Sequence, residues 1–268
     1  MLFFTAIYLK NREEIELLGV YFSGTGNTKF CIEKFCHYSG GSEPLSIEDS
    51  GVVEAIRTSE EIIFGYPVYF SNIPKIVTDF ISMNSSCFAD KRVYIIATMG
   101  LFSGDGAGCG ARLFKKCGAK IIGGLHLKMP DCIGDVKALK KAPAQNRKIV
   151  TDAEQKIIQA VNMIKQGNPA KEGLGFHYHI AGLFGQRLWF YNKTTHYSDK
   201  LKICKTNCVG CGKCVSLCPM SNLTVTDQKA SANGKCTMCY RCINNCPNKA
   251  ITLIGKEVIE QCLFSRYL

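Results

Sequence analysis

The 268-residue chain has no apolar run of the roughly 18 or more residues that a membrane helix requires. Its opening stretch, MLFFTAIYLKN, offers neither the basic leader nor the small-residue cleavage site of a secretory signal, so a cytoplasmic protein without a membrane span is expected. Lysine and arginine are nowhere gathered into one run with interleaved aromatics, which makes nucleic acid a poor partner. Two nucleotide signatures are missing as well. There is no G-x-x-x-x-G-K-[ST], and the pair Gly24 and Gly26 lacks the third glycine of a dinucleotide fingerprint, because Lys29 stands in its place. Charged residues make up 21% against 46% hydrophobic, a balance that argues against disorder and lets the chain bury a core.

Cysteine, by contrast, is abundant. Sixteen are present, and nine fall within residues 204–246. In a short secreted chain such a count would read as a disulfide framework; in a longer chain without a signal, clustering at close spacing points to metal. Charge is uneven too: residues 1–100 carry 8 basic and 12 acidic side chains and the remainder 25 and 10, giving a formal +11. Thiolate-bound clusters and a bound phosphate would lower that figure. A solvated basic surface and docking to an acidic redox partner protein both fit it.

From residue 16 to 165 short apolar runs alternate with helical stretches. LLGVYF, EPLSI, EIIFGYP, RVYIIAT and KIIGGLHL read almost continuously apolar, as strands buried on both faces do. Helices are expected over residues 28–37, 73–83, 107–117 and 144–165, and EDSGVVEAIRTS must carry one crossover in a single short helix. Five strands with intervening helices imply an α/β fold, a doubly wound parallel sheet spanning residues 1–167. QGNPAKEGLG then breaks the last helix with Gly167 and Pro169. A connector over residues 168–200 contains the aromatic-rich FHYHIAGLFGQRLWFYNKTTHY, which lacks a basic face and reads as packing rather than a membrane-surface anchor. His177, His179 and His196 within it read as packing or surface residues.

Residues 201–268 form a second, smaller unit with an internal repeat. CVGCGKCVSLCPMSNLTV laid over CTMCYRCINNCPNKAITL matches four cysteines and a proline at a constant offset of 28 residues. Each copy is C-x2-C-x2-C-x3-C-P: Cys208, Cys211, Cys214 and Cys218, then Cys236, Cys239, Cys242 and Cys246. Thiolates suit zinc and iron–sulfur clusters alike, but paired zinc sites use separated C-x2-C pairs, whereas three evenly stepped cysteines wrap one many-cornered cluster. The unit resembles a bacterial-type ferredoxin domain with two [4Fe-4S] clusters. That resemblance implies one cluster on Cys208, Cys211, Cys214 and Cys246 and the other on Cys236, Cys239, Cys242 and Cys218. Cys204 and Cys262 have no place in the pattern. With so small a core, the clusters are expected to supply much of the unit's folding free energy.

The stretch VYFSGTGNTKF places Ser23, Thr25 and Thr28 hydroxyls, with the backbone of Gly24, Gly26 and Asn27, at a strand-to-helix turn. Such donors can hold a phosphate monoester without lysine or metal; a bare helix cap is the plainer alternative. The turn resembles the phosphate loop of the flavodoxin family, which implies FMN at the carboxyl ends of the strands. Two further loops then follow strands where that family contacts its flavin. One offers Pro67, Val68, Tyr69, Phe70 and Asn72, with Tyr69 or Phe70 over the ring or merely packed; the other offers backbone groups of Thr98, Met99, Gly100, Gly104, Asp105 and Gly106 to the pyrimidine edge. Cys109, near the second loop, reads as an inert thiol. Residues 1–15 precede the first strand without a role.

Taken together the chain resembles a flavodoxin/ferredoxin fusion of the EFR-type ferredoxin family. The expected function is electron transfer between FMN, two [4Fe-4S] clusters and a redox partner in anaerobic metabolism. An FMN-dependent reductase of a quinone or nitro compound, fed by the clusters, is the alternative; no general acid is identifiable by sequence. Clusters serving only as folding metals are a third reading.

Overall fold

The structure, a computed structural model, describes residues 17–101, 104–175, 178, 180 and 196–268. Residues 1–15, positions 102 and 103 of the second flavin loop, and most of the aromatic connector, His177 and His179 included, lie outside the described residues.

The first unit is a five-stranded parallel sheet in the order β2-β1-β3-β4-β5. Its strands are β1 (Leu17–Tyr21), β2 (Leu45–Ser46), β3 (Glu61–Pro67), β4 (Arg92–Met99) and β5 (Lys120–Lys128). The central three are buried almost end to end, which is why they read as continuous apolar runs. β2 is an edge strand of two residues, pairing Val20 with Leu45 and Tyr21 with Ser46. Pro44, which has no N–H to donate, stands immediately before it.

Five helices cover the sheet: α1 (Asn27–Ser39), α2 (Val52–Thr58), α3 (Lys75–Met83), α4 (Gly106–Lys116) and α5 (Pro143–Lys165). The crossover after β2 is the single short helix α2. Phe30, Cys31 and Phe35 of α1 join Val150, Ala153 and Ile157 of α5 in the core on one face. Val52, Ile56, Val77, Ile81, Ala111 and Phe114 of α2, α3 and α4 build the core on the other. The chain leaves β1 toward one edge and continues from β3 toward the other, so the loops after these strands part into a crevice.

The second unit has two small antiparallel sheets, β6 (Lys202–Ile203) with β9 (Ile251–Thr252), and β7 (Leu223–Thr226) with β8 (Lys229–Ala232). Two short helices, α6 (Lys213–Ser216) and α7 (Arg241–Asn245), complete it. The repeat is written into the backbone. Gly210 and Met238, Gly212 and Tyr240, and Ser221 and Lys249 all have positive φ at the 28-residue offset.

The chain's last residues return to the first unit. Phe264 stacks on Phe30 of α1 with ring centroids 4.5 Å apart, and its N–H donates to the Thr25 carbonyl at 2.9 Å.

Candidate functional site

At the carboxyl end of the sheet, α1 begins after Gly26, whose φ of 104° turns the chain sharply off β1. The turn braces itself: the Gly26 N–H donates to Ser23 Oγ at 3.1 Å, and the Thr28 and Thr98 hydroxyls share a buried 2.8 Å hydrogen bond. Asn27 reaches across to donate to the Pro130 carbonyl at 2.7 Å. The turn closes one end of a cavity of about 320 Å3, within the usual size range of cofactor pockets. Of the residues singled out by sequence, Ser23, Gly24, Thr25, Asn27, Thr28, Pro67, Val68, Tyr69, Phe70, Thr98, Met99 and Gly100 line it.

The remaining five do not. Gly26 faces Phe264, and Asn72 closes a tight turn in which Tyr69 and Asn72 exchange backbone hydrogen bonds at 3.0 and 2.9 Å. Asp105 is fully buried at the start of α4 and pairs with Arg112 at 2.7 Å. Gly106 accepts the Tyr66 hydroxyl through its carbonyl at 2.6 Å, and Gly104 is likewise absent from the described lining. This end of the loop serves the helix that follows. Cys109 stands with it, its sulfur accepting from Arg112 at 3.4 Å.

Other cavity residues were not singled out by sequence. The loop after β5 contributes Met129, Pro130, Asp131, Cys132 and Ile133, and the second unit contributes Met238 and Tyr240. Burial disfavours the charged form of both Asp131 and Cys132, raising the Asp131 carboxyl and pushing the Cys132 thiol well above its ordinary value. Tyr69, also pushed up by burial, lies near Cys132 and Cys239; it forms part of the wall between the cavity and the second unit. Phe70 stacks on Tyr197 at 6.0 Å and 9°.

The two units are tied by buried polar contacts. Asp135, 4% exposed, accepts the Tyr240 hydroxyl at 3.0 Å and the N–H groups of Leu253, Ile254 and Gly255 at 2.7, 3.0 and 3.0 Å. Asn244 donates to the Cys132 carbonyl at 2.9 Å and accepts from the Cys262 N–H at 2.8 Å. Gly24 packs directly on the Cys239 backbone, and a Cβ there would collide with that carbonyl. Arg241 donates to the carbonyls of Ser23, Gly24 and Leu217 at 2.8, 3.4 and 3.4 Å, and forks onto Glu48 with two bonds of 2.9 Å.

The eight repeat cysteines line two separate cavities in crossed sets. Cys208, Cys211, Cys214 and Cys246 surround one; Cys236, Cys239, Cys242 and Cys218 surround the other. No three of the described His, Cys, Asp or Glu side chains converge as a single-ion site would need. Backbone N–H groups already point at sulfur: Asn222 to Cys218 and Ala250 to Cys246 at 3.3 Å, Ala230 to Cys208 and Met238 to Cys236 at 3.4 Å. Such bonds suit thiolates that carry an iron–sulfur cluster. The environments differ. Cys211 is exposed and the N–H of Ala230 lowers the Cys208 thiol, while Cys239 is buried and its thiol is pushed up to about 12 by desolvation. Cys204 lies outside both sets, its exposed thiol lowered by the Thr206 hydroxyl. Cys262 is buried and accepts from Lys140 Nζ at 2.9 Å.

Comparison with known proteins agrees with this layout. The flavodoxin domain family matches residues 18–114, and the 4Fe-4S dicluster domain family matches residues 207–251. Among solved structures, a flavodoxin from the domain Archaea is 14% identical, with 56% of this chain and 99% of that one covered and a TM-score of 0.42. Two-electron reduced Megasphaera elsdenii flavodoxin is 24% identical over 52% and 98%, at 0.38. Oxidised flavodoxin 2 from Bacillus cereus is 14% identical over 57% and 99%, at 0.42. No curated protein matches. Among the described residues no helix is long and apolar enough to cross a membrane. The chain joins an N-terminal flavodoxin domain to a C-terminal 4Fe-4S dicluster domain, and electron transfer is the function those two domains share.

Proposed function

We propose that the chain is an electron-transfer iron–sulfur flavoprotein that moves electrons between a redox partner, two [4Fe-4S] clusters and FMN in anaerobic metabolism. One observation carries this reading: Met238 and Tyr240, the residues on either side of Cys239, line the cavity that would receive the flavin. When bound, FMN supplies one- or two-electron chemistry and each cluster one-electron chemistry.

Ser23, Gly24, Thr25, Asn27 and Thr28 would hold the phosphate, with Tyr69, Phe70 and Met99 against the ring system. Cys236, Cys239, Cys242 and Cys218 would hold the cluster nearer the flavin. Cys208, Cys211, Cys214 and Cys246 would hold the outer one, where Val209 is 58% exposed. Lys205, Lys213 and Lys249 are exposed around that outer set and Asp227 is the nearby acid, so an acidic redox protein is the partner we favour. No disulfide joins any of the sixteen cysteines, which suits a reducing cytoplasm. Anaerobic titration with a chemical reductant tests the reading. Reversible loss of both flavin and cluster absorbance is expected; flavin without clusters, or clusters without flavin, would sink it.

A second reading, an FMN-dependent reductase of a quinone or nitro compound, has one observation in its favour. Asp131 lines the cavity with a carboxyl that burial raises above its ordinary value, the direction a proton donor to a substrate would need. Steady turnover of such acceptors by the reduced protein, abolished in Asp131→Asn, would select it over the carrier.

A further inference from the structure

We infer that Arg241, which belongs to the dicluster domain, is a positioning residue for the phosphate loop of the flavodoxin domain and couples flavin binding to the cluster site built on Cys239. The inference rests on the cofactor assignment proposed above. Arg241 follows Tyr240 and precedes Cys242, so its own backbone sits inside the cysteine motif, where its N–H faces the Cys239 sulfur. Its side chain leaves in the other direction and ends on the phosphate loop.

The consequences follow from peptide geometry. In a trans peptide the carbonyl and the N–H point opposite ways. Arg241 holds the Ser23 carbonyl at 2.8 Å and the Gly24 carbonyl at 3.4 Å. The N–H groups of the same peptides, those of Gly24 and Thr25, are thereby turned away from the guanidinium, and both residues line the cavity. Two more donors are thus available to an anion at the start of α1, and the second domain helps to hold them so. Gly24 is the residue that permits this approach, since any side chain there would strike the Cys239 carbonyl.

Charge adds a second link. The guanidinium is 18% exposed and stands between a loop suited to a phosphate dianion and a cavity suited to an anionic cluster. Burial opposes its charge, and the fork onto Glu48, with both bonds at 2.9 Å, outweighs that penalty. A lysine would keep the charge but could not make the fork. Coupling of this kind is reciprocal: whatever affinity for flavin the assembled cluster site adds, bound flavin returns to the cluster site.

The test uses the full chain reconstituted anaerobically with iron, sulfide and FMN. Arg241→Gln, Arg241→Lys, Glu48→Gln and the distant exposed Lys148→Gln are compared by FMN affinity, from fluorescence quenching, and by cluster midpoint potential, from EPR-monitored titration. Arg241→Gln is expected to weaken FMN at least about tenfold and to shift one cluster to lower potential. Glu48→Gln should shift the same cluster upward. Arg241→Lys should keep the wild-type potential while losing affinity, and Lys148→Gln should change neither. A purely structural tie would not give opposite shifts for the two partners. Unchanged FMN affinity in Arg241→Gln, or potential shifts of the same sign in Arg241→Gln and Glu48→Gln, would overturn the inference. If Arg241→Gln does not fold, the affinity–potential split in Arg241→Lys and the upward shift in Glu48→Gln decide it. Wild-type protein that takes up no FMN or no iron would overturn the cofactor assignment itself, a result distinct from an unresponsive Arg241.

Discussion

The two cysteine repeats have the same spacing, the same pattern of positive φ and the same N–H to sulfur bonds at the fourth cysteine, yet they live in different surroundings. In the first copy the left-handed positions are Gly210 and Gly212, where that conformation carries no steric cost. In the second they are Met238 and Tyr240, each held at a conformation that costs roughly 1–2 kcal/mol for a residue with a side chain. Their side chains are what the strain secures: both line the cavity of the flavodoxin domain, and Tyr240 is anchored to Asp135. The first copy cannot make the same exchange, because a Cβ on Gly210 would strike the Gln228 carbonyl of the β7–β8 turn. One copy remains a free-standing metal loop, and the other has become a wall of the neighbouring domain.

The largest expected break in that contrast comes from the ligands. Cys239→Ala should remove about half the iron and, through the Gly24 contact, nearly all bound flavin, whereas Cys211→Ala should lose iron but keep flavin; iron and flavin analysis of the two proteins checks both. Next comes the anchor. Asp135→Ala leaves a buried hydroxyl and three N–H groups without their acceptor, and should cost about 3–5 kcal/mol in urea unfolding. Exchanging the strained positions gives a smaller effect. Met238→Gly should relieve about 1 kcal/mol of backbone strain while weakening FMN several-fold, and Gly210→Met should destabilise the first loop without affecting FMN affinity.

The smallest effect separates the domains by pH. Burial lowers the His126 imidazole to about 4, so the folded protein prefers it neutral. Above its ordinary value near 6.5 folded and unfolded chains bind the same number of protons there. As pH falls from about 6.5 toward 4 the unfolded chain takes up a proton that the folded one resists, and stability declines. His126→Gln should flatten that slope in acid unfolding curves. Residues 201–268 contain no histidine, so this slope belongs to the flavodoxin domain.

Much of this layout was legible in the residues. Runs such as EIIFGYP announce a buried parallel strand because both its faces are covered, and β3 occupies those seven residues. The crossed cysteine sets were what the resemblance to two-cluster ferredoxins implied, and the eight cysteines line two cavities in that grouping. Asp105 was singled out with its loop for backbone groups at the pyrimidine edge; that its side chain is taken up by Arg112 of its own helix was not legible. The loop after β5 was illegible because its place in the cavity is set by β5 standing beside β4, a distance in space rather than sequence. Met238 and Tyr240 did leave a trace, since they replace the glycines that the first copy uses at the same offset. Arg241 left none: only docking of the two domains brings it to Ser23 and Gly24.

Anaerobic reconstitution of the full chain, followed by metal, sulfide and flavin analysis, is the most direct measurement of whether the shared wall separates a flavin from a cluster. About one FMN and about eight irons with matching sulfide per chain are predicted. Zinc in place of iron, or a fully cluster-loaded protein that binds no flavin, would contradict it.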